Sequence, residues 1–256
     1  MIPGLISLAL FGLNLSVEFT GGSRITVSFP KEATQEQARF IEENLKDQKI
    51  KVATLEQRGN QISVRTSPIE QKQNEKFDND LKSKYKGAVV EEFSTIGPTI
   101  GRETTANAIK AVIFASVLIV VYISLVFRKV PKPASSVRFG ISTIFALVHD
   151  VLVVVGTFSL LGHFLNVEVD SLFVTALLTV IGFSVHDTIV VFDRIRENLG
   201  KNVNESFSRV VNDSILQTIG RSLNTSLTVL LVLLGLLLFG GESIRWFVVA
   251  LIVGIA

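Results

Sequence analysis

The sequence has no cysteine and only three histidines among its 256 residues. Without cysteine, the chain has no disulfide, no thiolate nucleophile and no cysteine-ligated metal site. His149, His163 and His186 do not have the spacing of a metal-binding motif. We also find no paired nucleophile and base, so an enzyme is the weakest of the functions considered, and no cofactor is predicted.

The sequence also lacks a strong net charge. Its 25 Lys and Arg residues nearly balance 23 Asp and Glu residues, and the basic residues form no dense stripe. Nucleic-acid binding therefore has no support. The glycines do not have Walker A or dinucleotide-binding spacing, so no phosphate-cradling loop is predicted.

Apolar residues, in contrast, make up 48% of the chain and are unevenly distributed. Residues 14–103 are polar and charged, whereas residues 104–256 contain long apolar runs. This asymmetry predicts a membrane protein with one water-exposed domain. Runs long enough to cross a bilayer of ~30 Å occupy residues 105–127, 139–161, 171–192 and 217–239.

Two shorter apolar runs lie at residues 1–13 and 245–256. Each is shorter than the ~17–25 residues of a complete membrane helix. We interpret them as the end of a first helix and the start of a last one, so six spans are expected and the full protein is expected to extend in both directions.

The loops between the spans predict an orientation. Residues 128–138 and 194–221 are rich in Lys and Arg, whereas the loops on the opposite side are acidic or neutral. Excess basic residues in short loops mark the cytoplasmic side. Residues 14–103 are therefore expected outside the cytoplasm. Within residues 194–220, apolar residues near helical spacing, Val203 among them, predict a helix along the cytoplasmic face.

The polar domain has the pattern of an α+β fold. Alternation of Ile25, Val27 and Phe29 predicts a strand, and Thr34 with Gln37 has the spacing of a capping box at the start of a helix. Further strands are predicted over residues 50–55, 61–66 and 88–93, with a second helix capped by Ser67 and buried through Phe77 and Leu81. The order β-α-β-β-α-β predicts a ferredoxin-like domain.

Two acids interrupt the apolar runs. Asp150 lies within residues 139–161, and Asp187 lies within residues 171–192. A charge at membrane depth costs ~2.5–3.5 kcal/mol, and such residues usually pair with a partner or carry ions or protons. Both acids are therefore candidates for proton transport, with a structural role in helix packing as the alternative.

Five segments together carry a family resemblance: residues 17–22, 97–103, 147–152, 182–198 and 221–226. The sequence resembles the SecD/SecF family of protein-export membrane proteins, and within it the SecF half, over essentially the whole chain. The segment 182–198 is the most specific. The resemblance implies a relative of the resistance-nodulation-division transporters, located in the bacterial inner membrane as a multi-pass protein.

The resemblance also implies function and partners. It implies proton-driven assistance to the export of preproteins, with SecD and the SecYEG translocon as partners in the lipid bilayer. Sodium remains an alternative to the proton as the coupling ion. The sequence departs from the family at Glu18, where Asp is common, and at His186, where Asn is common. The second departure places a titratable imidazole beside Asp187.

The resemblance aligns Asp187 with the acid implicated in proton passage and Arg221 with its basic partner. Desolvation in a helix bundle favours the uncharged carboxyl, which lets Asp187 bind and release protons near neutral pH. Arg221 stays protonated, so its role is to stabilise ionised Asp187 rather than to carry the proton. The alternative for Arg221 is an ordinary anchor at the membrane surface. For His186 we favour a hydrogen bond to a neighbouring helix over a part in proton passage.

Gly21, Gly22, Gly97 and Pro98 flank the polar domain where it joins the first two membrane helices. Glycine permits positive φ and proline restricts φ, so these residues predict tight turns. The family resemblance implies a hinge that lets the domain move. Both interpretations are compatible.

Two functions besides an enzyme compete with export assistance. One is a proton-coupled exporter of lipids or small molecules from the same superfamily, which predicts a substrate pocket in the polar domain. The other is a scaffold that holds translocon partners together without transport.

Overall fold

The computed structural model describes residues 2–201 and 205–256. The chain divides into two compact units: a helical unit of Met1–Asn14 and Ala108–Ala256, and a sheet unit of Leu15–Asn107. In chain order the elements are α1 (Ile2–Phe11), α2 (Val17–Thr20), β1 (Gly22–Ser28), α3 (Gln35–Asp47), β2 (Val52–Arg58), β3 (Gln61–Thr66), α4 (Gln71–Lys84), β4 (Val89–Ile96), α5 (Pro98–Val126), α6 (Ser136–Leu165), α7 (Ser171–Lys201), α8 (Phe207–Phe239) and α9 (Glu242–Ile255).

The sheet unit contains four antiparallel strands in the order β2-β3-β1-β4. The central strand β1 pairs Ile25 with Val64 of β3 and with Phe93 of β4. The core of the sheet unit joins inward-facing strand residues to the apolar faces of α3 and α4. Its fully buried members include Ile25, Val27, Ile41, Leu45, Ile62, Val64, Phe77 and Leu81. The predicted burial of Phe77 and Leu81 in the second helix is therefore confirmed.

Local signals in the sheet unit predicted one helix start correctly and the other wrongly. At α3 the backbone N–H of Thr34 donates to Gln37 Oε1 at 2.8 Å, which confirms the capping box. Ser67, however, does not cap α4. Its hydroxyl accepts from the Lys51 backbone N–H at 3.3 Å, and α4 begins at Gln71 with Glu70 as the N-cap residue. Pairing to a neighbouring segment thus took precedence over capping.

The four predicted complete spans are confirmed as α5 to α8, each long and apolar enough to cross a membrane. The helices are longer than the apolar runs. At ~1.5 Å per residue, the 31 residues of α7 extend about 46 Å, well beyond a hydrocarbon core of ~30 Å. The charged residues that follow the apolar run continue the helix because they form ion pairs along it.

The predicted separate helix over residues 194–220 is wrong. Residues 194–201 are the last turns of α7, and α8 already begins at Phe207. Val203, part of that prediction, lies outside the described residues. Both helices therefore have polar extensions beyond their apolar segments, and the extensions lie side by side.

Small residues let α1 pack closely on α6. A Cβ atom on Gly4 would lie 2.9 Å from the Gly156 Cα atom, so neither position has room for a side chain. One turn further, the buried hydroxyls of Ser7 and Ser159 lie 2.9 Å apart, and Ser159 also donates to the Gly12 carbonyl at 2.7 Å. Close backbone approach and hydrogen bonds between helices are the interactions that hold membrane helices together.

Replacement of Gly156 by valine should disrupt this crossing. The added atoms meet the Gly4 backbone, and overpacking of this kind costs about 1–3 kcal/mol. We expect Gly156→Val to lower the melting temperature of the detergent-purified full-length protein by several degrees. Gly235→Val is the matched control, because a Cβ at Gly235 of α8 meets nothing within 4 Å. Equal melting temperatures for the two variants would contradict the packing argument.

Candidate functional site

Asp187 lies at the middle of α7 and is half-buried. The sequence predicted a position one turn from the end of the helix, but α7 continues to Lys201, so the carboxyl lies deeper in the element. The helix packs on α6, α8 and α9. Within the described part of the chain, Asp187 makes no hydrogen bond and no ion pair.

Arg221 lies in the first half of α8 and is exposed. Contacts between the helices define their register: Arg194 meets Gln217, and Asn198 meets Ser214. The two helices are therefore antiparallel, and Asp187 is level with Asn224. Arg221 lies about one turn closer to the charged extensions, at ~1.5 Å per residue. The structure brings both residues to one region of the bundle but does not pair them.

Asp150 lies at the middle of α6, beside His149. Nothing in the sequence predicts that these neighbours act together, yet His149 Nδ1 lies 3.0 Å from Asp150 Oδ1. The imidazole is 58% exposed and the carboxyl 28%. The pair is therefore exposed on the surface of this chain, near the middle of a candidate membrane span. Whether Asp150 relays protons remains a prediction.

His186 is exposed on α7 and, among the described residues, has no hydrogen-bond partner. The predicted bond to a neighbouring helix is therefore not formed. Thr225 and Thr228 of α8 donate their hydroxyls to carbonyls of their own helix, at 3.0 and 2.8 Å.

The charged extension of α7 contains the expected ion pairs. Arg194 meets Glu197 at 2.6 Å, Lys201 meets the same carboxylate at 2.6 Å, and Arg196 meets Asp193 at 2.5 Å. All of these pairs connect positions three or four residues apart.

Sequence reasoning missed a partly buried polar network between α7 and α8. The Asn198 side chain donates to Ser214 Oγ at 2.9 Å and to Gln217 Oε1 at 3.0 Å. Gln217 Oε1 also accepts from Arg194 Nε at 2.5 Å. One sequence signal could have revealed this network: the Asn198 amide lies between two apolar residues, Ile195 and Leu199, that are buried on the same helix.

The two glycines between α2 and β1 are required by the backbone. Gly21 has φ of 74° and Gly22 has φ of 123°. A Cβ on Gly22 would lie 2.6 Å from the Thr66 carbonyl oxygen, and one on Gly21 would lie 2.8 Å from the Pro98 Cα atom. A Cβ on Gly97, in contrast, would meet nothing within 4 Å. The structure thus supports tight-turn chemistry at Gly21 and Gly22, and the hinge remains a proposal.

Arg65 of β3 supports the same turn, and sequence reasoning missed it. Its guanidinium donates to the Leu15 carbonyl at 2.7 Å and to Thr20 Oγ1 at 3.3 Å. Burial and the nearby Arg24 lower the pKa of Arg65 from its ordinary value. An open cleft of about 470 Å³ adjoins the turn, lined by Thr20, Gly21, Gly22, Lys51, Val52, Ala53, Thr66, Ser67, Pro68 and Pro98.

Comparison with known protein families matches most of the chain. The family described as "Protein export membrane protein SecD/SecF, C-terminal" matches residues 76–256, and "SecD/SecF GG Motif" matches residues 6–31. The second match contains the turn at Gly21 and Gly22. Both matches therefore fall on the elements described above.

Two relatives are similar over most of their length, and a third over a part of it. "Protein translocase subunit SecF" of Thermobaculum terrenum is 46% identical over 100% of this chain and 83% of the relative. The protein of the same name from Anaerolinea thermophila is 42% identical over 100% of this chain and 82% of the relative. "Protein translocase subunit SecDF" of Bacillus subtilis is 36% identical over 99% of this chain but only 33% of its own length.

Solved structures agree with this relationship. The crystal structure of SecDF, a translocon-associated membrane protein from Thermus thermophilus, has a TM-score of 0.82 and 34% identity over 98% of this chain. A SecDF structure in a "super-membrane-facing form" has a TM-score of 0.66 at the same identity and coverage. The chain spans about a third of each SecDF chain, at 33%.

Replacement of Gly22 by alanine should destabilise the sheet unit. The new methyl group meets the Thr66 carbonyl, and the positive φ adds strain of about 1–3 kcal/mol. We expect faster hydrogen exchange at the backbone amides of β1 and β3 in the full-length protein. Gly97→Ala is the control, since that position has room, and it should leave exchange in these strands unchanged. Equal protection in Gly22→Ala and the wild type would show that the turn tolerates a side chain.

Proposed function

The chain belongs to the SecD/SecF family of protein-export membrane proteins, and from this we propose that it is a SecF-type subunit that couples proton movement to export. With SecD, it would assist the passage of preproteins through the SecYEG translocon. Relatives named SecF and SecDF, together with four membrane-spanning helices, support a multi-pass translocase subunit. The fused relatives support SecD as the partner.

The proposed location is the bacterial inner membrane, with the polar domain of residues 14–103 on the extracytoplasmic side. The basic loops support this orientation. Partial spans at α1 and α9 support a total of six, because α1 packs on α6 as a membrane helix does. The element order β1-α3-β2-β3-α4-β4 and the sheet order β2-β3-β1-β4 support a ferredoxin-like domain.

The observation that carries the proposal is the half-buried carboxyl of Asp187 at the middle of a membrane helix. Protonation removes a charge that the low dielectric of the bundle disfavours. Release of the proton restores a carboxylate, which Arg221 can stabilise from one turn away. Because the two side chains are separate in this structure, the arrangement resembles the protonated stage of such a cycle.

The proton gradient supplies enough energy for this switch. One elementary charge moved across 100 mV gains ~2.3 kcal/mol, and such a gain shifts a two-state equilibrium more than tenfold. The two SecDF structures have equal identity to this chain but different TM-scores, 0.82 and 0.66. This difference supports the idea that SecDF-type proteins adopt more than one conformation.

We propose that α5 transmits the change to the sheet unit. Its first turns contact the glycine turn closely: a Cβ on Gly101 would lie 2.9 Å from the Phe19 carbonyl oxygen, and Thr105 Oγ1 donates to that oxygen at 3.3 Å. From these turns α5 continues without a break into a membrane span. A movement of α5 would therefore carry the glycine turn with it, and Gly21, Gly22, Gly97 and Pro98 would act as the hinge.

The cleft of about 470 Å³ beside the glycine turn favours a second candidate, a proton-coupled exporter of lipids or small molecules. Saturable binding of a lipid or small molecule to the purified full-length protein, lost on substitution of Lys51 in the cleft, would support that reading. Export that is insensitive both to Asp187 and to the proton gradient would instead support a scaffold.

The variant Asp187→Asn should insert normally but lose proton-dependent export. The amide is nearly isosteric with the carboxyl but cannot change charge. Export of a secreted reporter would be measured in cells depleted of the native protein, with and without a proton gradient. Replacing the proton gradient by a sodium gradient identifies the coupling ion.

Asp193→Asn is the matched control on the same helix, because Asp193 is exposed and paired with Arg196. It should export at the wild-type rate. Normal export by Asp187→Asn at wild-type protein levels would refute the proton-coupled function.

A further inference from the structure

The network of Asn198, Ser214, Gln217 and Arg194 connects α7 to α8 where the two helices leave their apolar segments. Asn198 is only 5% exposed and Ser214 is fully buried. Burying an amide is costly unless its hydrogen bonds are made. Here the Asn198 amide nitrogen donates both of its hydrogens across the helix interface, to Ser214 at 2.9 Å and Gln217 at 3.0 Å.

The network depends on one oxygen atom. Gln217 Oε1 accepts from Asn198 and from Arg194, and no second described acceptor on α8 meets both donors. Arg194 is held from its other side by Glu197 at 2.6 Å. The charged residues of α7 are thereby linked through Gln217 to the buried amide.

This linkage determines how far α7 can slide along α8. A shift of one turn moves the helices by ~5.4 Å and would break both bonds to Gln217. Arg221 is one turn beyond Gln217 on the same face of α8, and Asp187 lies about two turns before Arg194 on α7. The register held by the network is therefore the register that sets the distance between Asp187 and Arg221.

We propose that Asn198 and Gln217 are positioning residues that hold Arg221 within reach of ionised Asp187. This inference rests on the proton-coupled function proposed above. The amides touch neither the proton nor the carboxyl. They act through the register of α7 and α8, so their loss weakens the stabilisation that Arg221 gives to the charged form of Asp187.

The charged and titratable groups on the helices around Asp187 determine how proton flux through the protein would depend on pH. The elements packed against α7 contribute His149 and Asp150 of α6, Arg221 of α8, and Glu242 and Arg245 at the start of α9, and α7 itself contributes His186. Of these, Arg221 lies on the helix that Gln217 anchors. A substitution at Asn198 or Gln217 should therefore change the pH dependence of proton flux through its effect on Arg221.

The test measures proton flux into proteoliposomes that contain the full-length protein and SecD, as a function of pH, with a trapped pH-sensitive dye. Asn198→Ala and Gln217→Leu should move the half-maximal flux to higher pH by about 0.5 to 1 on the pH scale, since a carboxylate less stabilised by Arg221 binds protons more readily.

Asn212→Ala is the matched control, because Asn212 is exposed on α8 and makes no hydrogen bond within the described residues. In an Arg221→Ala background, Asn198→Ala should cause no further shift, as expected for residues that act through one another. An additional shift in that background, or an unchanged profile in both Asn198→Ala and Gln217→Leu, would overturn the positioning role. Gln217 is exposed, so its variants test the proposal even if Asn198→Ala fails to fold.

Asp187→Asn separates this inference from the function on which it rests. If flux disappears in Asp187→Asn but the Asn198 and Gln217 variants match the wild type, only the positioning role fails. If Asp187→Asn conducts protons normally, the proton-coupled function fails, and the positioning role fails with it.

Discussion

The cost of placing a charge in lipid governs the arrangement of this protein. Asp187 lies within an apolar helix, where an exposed carboxylate would cost ~2.5–3.5 kcal/mol. In this chain α7 packs against three other helices, and Arg221 of α8 lies about one helical turn from Asp187 along the bundle. The proposed switch depends on the same cost, so one constraint links the packing of α7 to the proposed function.

Close backbone contacts recur where two segments approach without room for a side chain. Gly4 and Gly156 let α1 lie directly against α6, while Gly21 and Gly22 let the turn before β1 approach Pro98 and Thr66. In lipid there is no hydrophobic driving force between helices, so association depends on such contacts and on hydrogen bonds like that between Ser7 and Ser159. In the sheet unit, by contrast, a conventional apolar core holds α3 and α4 on the sheet.

Signals that depend on neighbours along the chain predicted structure well. The four apolar spans, the capping box at Thr34 and the alternation in β1 all agree with the structure. Signals that depend on distant partners did not. Ser67 was assigned to a helix cap, but its hydroxyl accepts from the backbone N–H of Lys51, just before β2. The end of α7 was assigned to a surface helix because its charged residues do not continue the apolar pattern of the helix.

The amino-acid sequence by itself determined that this is a membrane protein with a small α+β domain, and its motifs identified the family. Hydrophobic length and periodicity are local properties, so they can be read without coordinates. Only the tertiary structure decided which polar groups meet. The contact of His149 with Asp150 and the network around Asn198 depend on rotamers and on the register of packed helices, which no spacing along one chain specifies.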